Sequence, residues 1–125
     1  MRLLLDTQIY LWYLADSPKL SKKARAQIAE ADEVFVSAAS IWEAAIKIGI
    51  GRLRAVPPDL VAGIAGSGFV ELPVSAKHAA AVATLPTHHR DPFDRLLIAQ
   101  AHGEPMRLLT ADGLLTRYSD LVELA

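Results

Sequence analysis

Read along the chain, the apolar positions fall into short unbroken runs that alternate with stretches of helical spacing. Leu3, Leu4 and Leu5 are consecutive, which suits a strand covered on both faces, and the segment Arg2 to Thr7 ends its apolar run at Asp6. From Gln8 to Ala15, Ile9, Leu11, Trp12 and Leu14 fit a short helix closed by Asp16-Ser17-Pro18. Ser21 can cap a second helix, Lys22 to Glu30, with its basic residues mostly outward. Val34, Phe35 and Val36 form the next β-rich run, and Ser37 and Ser40 offer caps for a helix from Ala39 to about Ile50, stopped by Gly49 and Gly51. Pro57-Pro58 opens a helix over Asp59 to Ala65, and Gly66-Ser67-Gly68 breaks it before a strand from Phe69 to Val74. Ser75 starts a helix running to about Thr84. After the polar loop Pro86 to Arg90, Asp91-Pro92 supplies an N-cap acid and a first-turn proline for a helix ending near Gly103. Arg107 to Thr110 reads as a strand, Asp112 to Thr116 as at most one helical turn, and Leu121 to Leu124 as an edge strand.

Repeated β-α alternation predicts an α/β fold: a central, mostly parallel sheet flanked by helices as an α/β/α sandwich, with residues 1–125 forming one domain. In that architecture ligands collect at the carboxyl ends of the strands. Asp6 follows the first strand directly and Asp112 follows Leu108-Leu109-Thr110, so both are expected at that edge.

Composition narrows the classes. A chain of 125 residues that is 52% hydrophobic and 22% charged has material for one core. A formal net charge of -1 excludes binding to nucleic acid by overall charge and leaves only local basic flanks, among which Lys19, Lys22, Lys23, Arg25, Arg52 and Arg54 are candidates. With no cysteine there is no disulfide framework and no thiolate zinc site, which suits the cytoplasm. The N-terminal apolar run is far too short for a signal peptide or membrane helix, so no membrane is expected as a partner.

The candidate chemistry is acidic. Asp94 sits in the first turn of its helix and heads a stripe continued by Leu97, Ile98 and Ala101, whereas Asp91 as N-cap would spend its carboxylate on backbone N–H groups. Glu43 lies among Ile41, Trp42, Ala44, Ala45 and Ile46, beside apolar surface. Carboxylates gathered at one edge repel one another unless cations neutralise them. A hard ion such as Mg²⁺ or Mn²⁺ does so, polarises a phosphodiester and lowers the pKa of water. Thr7, Ser37 and Thr110 adjoin strand ends and could hydrogen-bond the acids or the water.

Four segments in order carry a family resemblance: Leu3-Leu4-Leu5-Asp6-Thr7, Ser37-Ala38-Ala39-Ser40-Ile41-Trp42-Glu43, Asp91-Pro92-Phe93-Asp94-Arg95-Leu96-Leu97-Ile98-Ala99-Gln100-Ala101 and Leu109-Thr110-Ala111-Asp112. Together they resemble a VapC-type toxin of the PIN-domain class. That resemblance implies a Mg²⁺- or Mn²⁺-dependent endoribonuclease, a homodimer, and inhibition by a cognate, VapB-like antitoxin over the active groove. Carried over by position, the family's acids fall on Asp6, Glu43, Asp94 and Asp112, with Asp91 one turn away and able to act through a water.

Each residue also has a plainer reading. Asp6 suits a helix cap, Glu43 an ion pair with Lys47, Asp94 the helix dipole, and Asp112 a Thr-Ala-Asp-Gly turn. His88, His89 and Arg90 suit either RNA phosphate or solvent. Trp12 and Trp42 suit core or dimer packing better than base stacking, and His78 and His102 suit structural roles. Two other classes compete: a receiver-type phosphoacceptor domain, which calls for adjacent acids after the first strand where this chain has Asp6-Thr7, and a non-catalytic protein-binding module.

Overall fold

The computed structural model describes residues 1–87 and 91–125. The candidate RNA contacts His88, His89 and Arg90 lie outside the described residues. In chain order the elements are β1 (Arg2–Leu5), α1 (Thr7–Leu14), α2 (Lys22–Glu30), β2 (Glu33–Ser37), α3 (Ala38–Gly49), α4 (Pro57–Gly66), β3 (Val70–Leu72), α5 (Ala76–Ala81), α6 (Pro92–Gly103), β4 (Arg107–Thr110) and β5 (Val122–Leu124). Short 3₁₀ turns cover Val82–Thr84 and Gly113–Arg117.

Local chemistry sets the boundaries. β1 stops at Leu5 because the Asp6 carboxylate caps α1, accepting the Ile9 N–H at 2.8 Å, so the helix starts one residue before the expected Gln8. The prolines of α4 stand in its first turn rather than ahead of it, where a missing N–H costs nothing. β3 keeps three residues of the expected six, an exposed edge cut short before Pro73.

Every strand pairing is parallel, and the sheet order is β3-β2-β1-β4-β5. Alternate residues of the strands feed two cores, as a doubly covered sheet requires. Leu3, Leu5, Val34, Val36 and Leu109 meet Ile9, Tyr10, Ala24, Ile28 and Ile64 from α1, α2 and α4. Leu4, Phe35, Leu72, Leu108 and Val122 meet Leu97, Ile98 and Ala101 from α6. This order removes the receiver alternative, in which the first strand pairs with the second and third; here β1 lies between β2 and β4.

Trp42 does not enter the core: it is 61% exposed and meets Phe93 edge-on, ring centroids 5.1 Å apart. His102 is exposed, whereas His78 is buried, completes the capping box of α5 and bonds Glu104 through Nε2 at 2.6 Å.

Candidate active site

The strand order reverses between β1 and β4, and the carboxyl ends flanking such a reversal form a crevice. Asp6 stands at the end of β1, its N–H donating to the Leu109 carbonyl at 3.0 Å across that gap. From β4, the Thr110 hydroxyl donates to Asp6 Oδ2 at 2.5 Å and accepts the Asp112 N–H at 3.0 Å. Both Asp6 oxygens are therefore held, Oδ1 by the α1 cap and Oδ2 by Thr110. Asp6 is only 6% exposed, and its carboxyl is pushed up from 3.8 to about 6. Burial is the main cause; the Thr110 and Ile9 hydrogen bonds pull it back, and the nearby Glu43 charge pushes it up again.

Glu43 reaches the same crevice from α3. Ser37 caps that helix through the Ala39 N–H at 3.0 Å, and Ala39, Ser40, Glu43 and Ala44 form its buried face. Glu43 Oε2 pairs with Lys47 Nζ at 3.0 Å, while Oε1 is buried without a hydrogen bond. A buried acceptor left in that state is costly and calls for a partner. Thr7 Oγ1, also buried, is in the same condition.

Asp91 and Asp94 come from the start of α6. Asp91 Oδ1 accepts the N–H groups of Phe93 at 2.9 Å and Asp94 at 3.1 Å, the expected cap. Asp112 caps the following 3₁₀ turn through the Leu114 N–H at 2.9 Å. Asp6, Glu43, Asp91, Asp94 and Asp112 all line one cleft of ≈ 460 Å³, together with Thr7, Gln8, Lys47 and Gly113. Segments more than a hundred residues apart, from Asp6 to Asp112, thus meet around a common space. Ser37 is fully buried, spends its hydroxyl on the helix cap and does not line the cleft. Among the described residues no three acids close into a ready-made metal cage. The crowding expected of the carboxylates is felt at Asp6, through Glu43.

The sequence did not single out Gln8 or Lys47 as cleft residues. Lys47 carried a signal, its position four residues after Glu43, but that spacing equally describes a solvated pair. The donor set fits a hard cation: carboxylate oxygens, a buried carboxylate oxygen and a hydroxyl without hydrogen bonds, and one desolvated carboxyl.

Known proteins were compared with this arrangement. No curated protein matches the chain by sequence. Among solved structures it is similar to VapBC2 from Rickettsia felis bound to a DNA fragment from their promoter, with TM-score 0.70 and 17% identity over 100% of this chain and 98% of that one. It is also similar to FitAcB from Neisseria gonorrhoeae, at TM-score 0.66 and 18% identity over 98% and 96% of the two chains. A toxin-antitoxin complex from Klebsiella pneumoniae gives TM-score 0.68 and 16% identity over 97% and 95%. Such identities speak to the fold. The sequence model of the PIN domain matches residues 3–121, a span that holds all five cleft acids and the pairing of β1 with β4 that brings Asp6 beside Thr110, so the chain belongs to the PIN domain family.

Proposed function

We propose that this protein is a metal-dependent endoribonuclease and the toxin of a type II toxin-antitoxin pair, acting in the cytoplasm. The observation that carries the reading is the cleft at the β1–β4 reversal, where five carboxylates surround one space and Glu43 Oε1 lies buried without a hydrogen bond. Asp6, Glu43, Asp94 and Asp112 would hold Mg²⁺ or Mn²⁺, with Thr7, Thr110 and Asp91 supporting them. Bound there, the ion supplies a Lewis acid for an RNA phosphodiester and lowers the pKa of the attacking water.

The chain's own residues do the positioning. Thr110 and the Ile9 N–H fix both oxygens of Asp6, so its carboxylate meets a ligand without reorganising. Lys47 balances the Glu43 charge and holds one of its carboxylate oxygens, at 3.0 Å. The bonds of Asp91 and Asp112 to backbone N–H groups anchor each acid on its own turn.

Two partners follow from the same reading. One similar structure is a toxin-antitoxin complex, which supports a cognate antitoxin closing over the cleft. The apolar stripe of Trp42 and Ile46 on α3 and Ile50 at its C-cap, exposed at four-residue spacing, supports a homodimer, and a monomeric mass by light scattering would remove that part of the proposal. RNA incubated with the protein and Mg²⁺ or Mn²⁺ is expected to be cut internally, and EDTA is expected to stop the cutting. Cleavage that persists in EDTA contradicts the proposal.

A further inference from the structure

A second groove of ≈ 500 Å³ adjoins the acidic cleft, shares Gln8 and Lys47 with it, and continues past Trp12 and Leu53 to Lys19 and Arg52. Two helix ends build it. α1 ends with Asp16 at φ 47, the Asp16 N–H donating to the Tyr13 carbonyl at 3.2 Å and the Ser17 N–H to that of Trp12 at 2.9 Å. α3 ends with Gly51 at φ 75, the Gly51 N–H donating to the Ile48 carbonyl at 3.1 Å and the Arg52 N–H to that of Lys47 at 2.8 Å. Both are the paired bonds of a left-handed helix stop. Each turns the chain back, so Ser17 and Lys19 border one side of the groove while Arg52 and Leu53 border the other.

The charges along this path complement a phosphate backbone. Five carboxylates repel RNA, and a net charge of -1 gives no general attraction, so a strand reaching the cleft needs cations beside it. Lys19 and Arg52 stand there, exposed and in no ion pair among the described residues, whereas Lys47 is paired with Glu43. Trp12 packs against the core around Leu3 and Ile9 yet also lines the groove. An indole suits an unpaired base, whose face is open, and not a duplex, whose base faces are stacked away.

We infer that this groove carries the substrate strand: single-stranded RNA leaving the cleft lays a base against Trp12 and its phosphates on Lys19 and Arg52. The inference rests on the ribonuclease reading of the neighbouring cleft. An acidic amphipathic peptide is the competing occupant; the strand is favoured by the groove's continuity with the proposed cleavage site through Gln8 and Lys47 together with two exposed cations spaced along it, and the peptide is an outcome of the test.

The test uses fluorescein-labelled single-stranded RNA of about 12 nucleotides, within the span that one such site covers, and anisotropy in Mg²⁺ over a range of KCl. Asp6→Asn protein is the background, with melting curves confirming that each variant folds. Lys19→Glu/Arg52→Glu is expected to weaken binding about tenfold or more and to flatten the salt slope by about 1.4, roughly 0.7 for each phosphate left without its cation. Trp12→Leu is expected to weaken it about tenfold and Trp12→Phe to restore most of it. With the native cleft, the same changes should raise KM for RNA cleavage and leave kcat unchanged. A folded charge-reversal variant with unaltered RNA affinity and salt slope overturns the inference, as does one that loses only an acidic peptide. Intact cleavage with groove-independent binding sinks the strand path alone; groove-dependent binding by a protein that cuts no RNA sinks the nuclease reading alone.

Discussion

Asp6→Asn is expected to slow RNA cleavage by about a hundredfold or more, the effect of losing several kcal/mol of charge stabilisation at about 1.36 kcal/mol per tenfold. Asp6 has both oxygens fixed, by Ile9 and Thr110, and stands where the strand order reverses. An amide of the same shape can still cap α1 through its oxygen and meet the Thr110 hydroxyl through its nitrogen, so the fold should survive. Single-turnover cleavage beside Asp120→Asn, an exposed acid outside the cleft, provides the comparison. Undiminished cleavage by Asp6→Asn would remove Asp6 from the chemistry.

The same substitution is expected to stabilise the metal-free protein at neutral pH. The Asp6 carboxyl is raised from 3.8 to about 6, chiefly by burial, so the native state disfavours its ionisation. Below about pH 4 the group is neutral folded or unfolded, and the cost is absent. As pH rises, the unfolded chain releases the proton first and stability falls, until above about pH 6 the whole cost remains, about 3 kcal/mol at about 1.36 kcal/mol per unit. Asparagine carries no charge to desolvate. Melting temperatures of the two proteins in EDTA should therefore converge in acid and separate toward neutral pH, the variant higher by on the order of 10 °C. Mg²⁺ should close the gap by stabilising the native protein alone. A gap independent of pH would show that desolvation of Asp6 is not its source.

Stability sacrificed at one carboxylate is what a site built to receive a cation requires, and part of that arrangement was legible in the sequence. Three leucines before Asp6, and Leu108-Leu109-Thr110 before Asp112, place two acids at the carboxyl edge because a buried strand must end before a charge. The Asp91-Pro92 start placed Asp94 in a first helical turn, where it stands. The order β3-β2-β1-β4-β5 was not legible, since strand pairing is non-local, and with it went the adjacency of β1 and β4 that defines the cleft.

α3 departs from its sequence pattern in one respect, for a definite reason. Its large apolar residues suggest an inward stripe, yet Trp42, Ile46 and Ile50 are exposed while Ala39, Ser40, Glu43 and Ala44 are buried. α3 packs against α1, α4 and α6 at once, and only small side chains fit so close an approach. Periodicity identifies an amphipathic helix but does not say which face meets the protein's own core and which stays exposed. The inversion turns Glu43 toward the cleft and leaves the tryptophan outside.

The central claim is that the cleft acids together hold a divalent cation, and crystals soaked in Mn²⁺ test it by anomalous diffraction. The account predicts a peak between Asp6 and the other cleft carboxylates, at about 2.0–2.3 Å from their oxygens, the range of a hard cation on carboxylate ligands, that vanishes in Asp6→Asn. Manganese bound only elsewhere on the surface, with none among these acids, would contradict it.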